Sequence, residues 1–222
     1  MSAVQAFFDV VWDARFALVS GLGMTVLIAA LAVVAGTLIG LCVGLVLSFM
    51  RGPLYWLVRI YVDFIRGTPV LVLILASFYI LGTVGWKLSA VEAGILALAI
   101  FCSSHVGEIT RGALGAIPEG QTEAAKSLGL NFVKTFLLVL LPQATRIALP
   151  AWVNTAAEIV KASTLLSIIG VAELLLATQE VIARSFMGLP LYFLAGLIYF
   201  SVNFGIEQLG KALERRLAIE GR

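Results

Sequence analysis

Apolar positions in this chain come in long uninterrupted runs rather than in stripes. Between Arg15 and Arg51 the segment 16–50 carries no formal charge, and the segments 67–86 and 185–206 are equally free of charge. A helix of roughly 20 apolar residues crosses a hydrocarbon core about 30 Å thick, so each run is long enough to span a bilayer. The pattern predicts three plain spans, at about 20–48, 67–85 and 188–209. Two weaker ones follow at about 89–113, with Glu92, Glu108 and Arg111 near its ends, and at about 147–168, carrying Glu158 and Lys161. Between the fourth and fifth spans a short surface helix is expected over about 172–183. The fold class is therefore an all-α membrane protein of about five transmembrane helices, read as one domain over residues 1–222.

Composition agrees with this reading. Of the 222 residues 61% are hydrophobic and only 13% charged, about half the charged share of a soluble domain. The net charge of +2 is too small to argue for nucleic acid. The two cysteines, Cys42 and Cys102, fall in apolar segments, where small buried thiols are common, and they suggest neither a disulfide framework nor a metal site. No cleavable signal peptide is expected, because Asp9, Asp13 and Arg15 interrupt the first residues. Basic residues orient the spans. Arg51, Arg59, Arg66, Arg111, Lys126, Lys134, Arg146, Lys211, Arg215, Arg216 and Arg222 fall on one side, against Arg15, Lys87 and Arg184 on the other. Positive loops stay inside, which predicts an outer N-terminus and a cytoplasmic C-terminus.

On that topology the connection after the third span is cytoplasmic and carries the most specific signal. Residues 121–128 are mostly good helix formers, Pro118 and Glu119 suit a helix entrance, and Gly129 stands where a left-handed cap is expected. A second helical stretch follows and closes at Pro142. The apolar part of that stretch, 132–140, is expected to lie buried against a partner or against the inner end of the bundle. Glu123-Ala124-Ala125, three residues, Gly129, nine residues, Val139, one residue, Leu141-Pro142 resembles the EAA loop of the permease subunits of binding-protein-dependent ABC importers. The likeness extends to Arg66-Gly67-Thr68-Pro69, to Glu108-Ile109-Thr110-Arg111-Gly112, to Leu141-Pro142-Gln143-Ala144 with Arg146 and Ala148-Leu149-Pro150, and to Gly170-Val171-Ala172-Glu173-Leu174. These segments are similar to those of the polar amino acid uptake permeases.

The resemblance implies a type I importer bundle in the cell inner membrane, with a cytoplasmic coupling loop at about 119–134 that docks on a separate ATPase. It puts Glu119, Glu123, Ala124, Ala125 and Gly129 in that coupling role. It implies a second permease subunit, identical or homologous, and a periplasmic or lipid-anchored amino-acid-binding protein. No cofactor is expected on this chain: it lacks a phosphate loop ending in Gly-Lys-Ser/Thr, so ATP and Mg²⁺ belong to the partner ATPase. Besides those subunits, only membrane lipid is expected as a partner.

Ionisable groups inside a bilayer are costly and mark pathways, pairs or the bundle interior. Asn154, Glu158 and Lys161 recur at i, i+4 and i+7, one helix face. Two readings fit: a face lining the translocation path, or a Glu158–Lys161 ion pair holding the helix to a neighbour. The family more often places its acid directly after the Asn, where this chain has Thr155. Glu108 and Arg111 read as a structural pair, and His105 as a packing or hydrogen-bonding residue. Trp12, Tyr55, Trp56, Trp86 and Trp152 read as interfacial anchors near span ends. A gated channel or ion-driven transporter would suit the intramembrane charges but leaves the coupling loop unexplained. A membrane enzyme lacks any clustered catalytic set.

Overall fold

The computed structural model describes residues 3–83 and 85–217, and every regular element in them is helical. Helix α1, Ala3–Phe49, runs unbroken for 47 residues, about 70 Å at 1.5 Å per residue. It begins well before the expected span, because Asp9, Asp13 and Arg15 sit on a helix that needs no break to carry them. Gly52 (φ 86°) and Pro53 turn the chain into α2, Pro53–Gly67.

The second span expected at about 67–85 appears at Val70–Thr83, and the structure adds a helix before it that the sequence reading did not give. Pro69 has no N–H and pushes Thr68 into an extended conformation (ψ 131°). The helix stops, turns by 109°, and resumes as α3, Val70–Thr83. At 14 residues α3 is about 21 Å long, and the bent pair, counted as one span, is the fifth beside the four long helices.

Helix α4, Ala90–Gly115, starts at a capping box in which Ser89 Oγ accepts from Glu92 N–H and the Glu92 carboxylate accepts from Ser89 N–H. A short helix, α5, Glu119–Ser127, follows. Next comes a correction. The stretch at 132–140 and the fourth span are one helix, α6, Phe132–Ile169. Pro142 does not end it, because a π turn at Phe136–Leu140 takes up the missing hydrogen bond just before the proline. A 3₁₀ segment, Ser163–Ile169, tightens its far end and Gly170 (φ 81°) closes it. Helix α7, Leu174–Ser185, matches the expected surface helix with a shift of two residues, and α8, Gly188–Leu217, is the last span.

Packing centres on α1 against α4. Gly36, Gly40 and Gly44 form a stripe at every fourth position of α1, pressed against Cys102, Val106, Gly107 and Thr110 of α4. A Cβ at Gly40 would lie 2.6 Å from Val106 Cβ and 2.8 Å from the Ser103 carbonyl oxygen. Helices in lipid associate through such small-residue contacts, since burying apolar surface gains little there. Cys102 is buried in this seam, whereas Cys42 faces out of the bundle, contrary to expectation.

Candidate functional site: the coupling helix and a polar helix face

Helix α5 stands at the end of the bundle where α1, α4 and α6 meet. Its C-terminus is a Schellman closure: Leu130 N–H donates to the Ala125 carbonyl (3.1 Å) and Gly129 N–H to the Lys126 carbonyl (2.9 Å). Gly129 adopts the left-handed conformation (φ 76°) that this closure requires. Asn131 then caps α6 by accepting from Lys134 N–H at 3.0 Å. The turn between the two helices is therefore fixed by hydrogen bonds rather than left slack.

The five residues assigned to coupling divide. Glu119, Glu123, Ala124 and Gly129 are exposed, and Ala125 is buried within the chain. The smallness of Ala125 thus serves the close seating of α5 on its own bundle. Gln143 of α6, just after Pro142, donates to Gln121 Oε1 (3.4 Å) and to the Val139 carbonyl (2.9 Å), adding a polar tie between α5 and α6. Around this corner Leu128, Phe132, Val133 and Leu138 are all at least 60% exposed. Of the two places expected to bury the 132–140 stretch, the inner end of the bundle takes only part of it: Thr135 and Leu140 are buried, and Phe132 and Phe136 pack edge-on against Phe49 (5.2 and 5.9 Å).

Farther along α6, Asn154, Glu158 and Lys161 are all exposed, while Val153, Thr155, Ala157, Ile159 and Val160 are buried. The structure brings the three together on one outward face. Glu158 and Lys161 have no ion-pair partner among the described residues and do not bind each other. Held against lipid, such a face would cost several kcal/mol. It requires water or another protein surface.

Trp152 is not an interfacial anchor. Because α6 starts at Phe132, Trp152 lies near its middle, where Nε1–H donates to Thr37 Oγ1 of α1 (2.9 Å). It stands between two hollows of about 370 Å³ each, one bounded by α1, α4 and α6 and the other by α1, α6 and α8. Their lining is almost wholly apolar, which unsuits them to a zwitterion that needs paired charges.

The other polar residues hold the bundle. Glu108 and Arg111 pair as expected, and Arg59 of α2 joins them (Arg59 Nη1 to Glu108 Oε2, 3.2 Å) while also holding Asp63 at 2.7 Å. Tyr61 of α2 lies 2.6 Å from Ser103 Oγ of α4. His105 packs on the Phe101 ring and bonds its carbonyl oxygen through Nδ1 at 3.0 Å, a packing role.

Sequence reading missed the most buried acid in the bundle. Glu173 is fully buried and caps α7 by accepting from Leu176 N–H (2.9 Å), while Tyr199 of α8 (2.5 Å) and Thr25 of α1 (3.4 Å) donate to its other oxygen. Its partners lie 148 and 26 residues away, so no local pattern announces the cluster; only the cap position just before an apolar helix could have been read. The glycine stripe of α1 was legible as small residues every fourth position and was not used.

Residues 32–219 match the family described as binding-protein-dependent transport system inner membrane component. Among similar proteins, the probable amino-acid ABC transporter permease protein YckA of Bacillus subtilis (strain 168) is 35% identical over 200 residues, covering 90% of this chain and 88% of that one. The glutamine transport system permease protein GlnP of Escherichia coli (strain K12) is 30% identical over 218 residues, covering 97% and 100%. A crystal structure of an amino acid ABC transporter with histidines superposes with a TM-score of 0.85 at 34% identity, over 91% of this chain and 94% of that chain. An inward-facing structure of the MetNI methionine ABC transporter shares the fold with a TM-score of 0.79 at 22% identity, over 92% and 97%. A helical bundle with four long apolar helices and one bent pair, matched to this family over most of its length, belongs to the multi-pass inner membrane components of binding-protein-dependent transport systems.

Proposed function

We propose that this chain is the permease subunit of an ATP-binding-cassette importer and that it carries polar amino acids across the cell inner membrane. Relatives named for amino acids and for glutamine support the substrate class. The observation that carries the mechanism is the rigidly closed helix α5, whose Glu119, Glu123 and Ala124 face outward at one end of the bundle. A separate ATPase subunit, holding ATP and Mg²⁺, grips this helix. The N-terminus lies outside and the C-terminus in the cytoplasm, which puts α5 on the nucleotide side.

Movement passes from α5 into α6. From Phe132 to Glu158 the helix is continuous over about 40 Å, so a displacement at the coupling corner reaches the polar face without crossing a loop. A second permease subunit, identical or homologous, faces Asn154, Glu158 and Lys161 across a watered path. Glu158 receives the α-ammonium or a basic side chain of the amino acid, and Asn154 supplies hydrogen bonds. A periplasmic or lipid-anchored binding protein delivers the cargo. ATP binding draws the ATPase subunits together and opens the path outward; hydrolysis resets it.

The test is uptake by vesicles containing the purified complex, with ATP inside or withheld. Uptake that requires ATP, with ATPase activity stimulated by loaded binding protein, is expected. Uptake that runs on an ion gradient without ATP would overturn the reading. Reversing one coupling charge, Glu123→Lys, is expected to cut uptake about tenfold or more, as interface hot spots do, while leaving the thermal unfolding of the permease unchanged.

A further inference from the structure

Helix α2 is built the opposite way round from a water-facing amphipathic helix. Its contacts with the bundle include its polar ones: Arg59 to Glu108 and Tyr61 to Ser103, beside buried Val62 and Ile65. Its outward face carries Leu54, Trp56, Leu57, Ile60 and Phe64, exposed by 45% to 66%. The Arg59 and Tyr61 ties fix the roll of the helix, so this face cannot turn inward. The 109° bend at Thr68-Pro69 sets α2 nearly crosswise to α3. Arg59 meets α4 at Glu108, about 10 Å short of its end at Gly115, while Tyr61 reaches Ser103 near the middle of that helix.

Charge completes the pattern. Arg51 just before α2 and Arg66 in its last turn are both exposed, stand at opposite ends of the helix, and have no ion-pair partner among the described residues. The only acid on α2, Asp63, is held by Arg59. A stripe of apolar side chains flanked by free guanidinium groups, lying in the membrane plane, fits a phospholipid leaflet of negative charge.

We propose that α2 is an in-plane strap that binds anionic phospholipid, with headgroups at Arg51 and Arg66 and acyl chains against Trp56, Leu57, Ile60 and Phe64. The orientation proposed above names the leaflet as the cytoplasmic one; the site itself does not depend on transport. By holding α2, the leaflet also steadies Glu108 and the α4 segment beside the coupling corner.

Fluorescence quenching tests this without measuring uptake. The full-length permease with its co-purifying subunits is placed in vesicles containing brominated phosphatidylglycerol or brominated phosphatidylcholine. The signal of Trp56 is taken as the difference between the unsubstituted protein and Trp56→Phe. Trp56 is expected to be quenched more strongly by the anionic lipid, and that preference is expected to fall about fivefold for each of Arg51→Gln and Arg66→Gln. Quenching by phosphatidylcholine should survive both substitutions. If neither lipid quenches Trp56, protein covers this face and the proposal fails. Equal quenching by the two lipids, untouched by the arginine substitutions, would overturn the headgroup site.

Discussion

Two regions of this chain handle membrane burial in opposite ways. In α4, 61% of the most apolar eighteen-residue stretch is buried inside the chain, against 17% in α6 and 11% in α8. The α1–α4 seam is finished within the chain, backbone close to backbone along Gly36, Gly40 and Gly44. The Asn154–Glu158–Lys161 face of α6 is open, with two ionisable groups exposed and without an ion-pair partner among the described residues. One region holds a scaffold together and the other is left uncovered by the chain. A substitution in the seam should therefore act on stability, and one on the open face on transport.

The sharpest way to break this contrast is Gly40→Leu. The side chain must enter space where even a Cβ meets Val106 and the Ser103 carbonyl. A loss of about 3 kcal/mol or more is expected, visible as early thermal unfolding and poor recovery by size exclusion in detergent. A Gly40→Leu protein as stable as the unsubstituted one would show that the seam is loose.

On the open face, Glu158→Gln should do the reverse. Uptake affinity is expected to weaken about tenfold, the worth of one charge-assisted hydrogen bond, with the melting temperature unmoved because the carboxylate has no ion-pair partner among the described residues. A drop in melting temperature with normal uptake would make Glu158 a structural residue instead.

Smaller effects sharpen the scaffold side. Tyr199→Phe removes one of the two side-chain donors to buried Glu173 and is expected to cost about 1.5 kcal/mol, near the upper end for hydrogen bonds between membrane helices. Thr37→Val, of nearly equal volume, removes the hydroxyl that accepts from Trp152, about 0.6 kcal/mol on the same scale. Thermal unfolding of both variants in one detergent gives the ranking, and a reversal of the two would show that the Glu173 cluster is not a pin.

The seam and the open face also differ in how far the sequence disclosed them. Asn154, Glu158 and Lys161 were found from helical spacing alone, because i, i+4 and i+7 share a face wherever a helix forms. The Gly129 stop was equally legible, since a left-handed cap needs that residue. The bend ahead of the second span was not. Arg66-Gly67-Thr68-Pro69 was read only as a family resemblance, and hydropathy cannot report a turn of 109°. Pro142 misled in the other direction: it read as a terminator, and a π turn carried the helix through it. Trp152 was misplaced as a consequence, because a helix that starts earlier moves every position along it inward.

By itself, then, the sequence determined what depends on local chemistry: residence in a membrane from long charge-free runs, the capped helix α5 from Pro118, Glu119 and Gly129, and the polar face of α6 from residue spacing. Tertiary structure alone decided which of those surfaces are closed. Thr25, Glu173 and Tyr199 meet although they lie on three different helices, and Arg59 reaches Glu108 across 49 residues. Such pairings are set by how helices cross and roll against one another. A single chain pattern fixes the faces of each helix but not the neighbour that each face will meet.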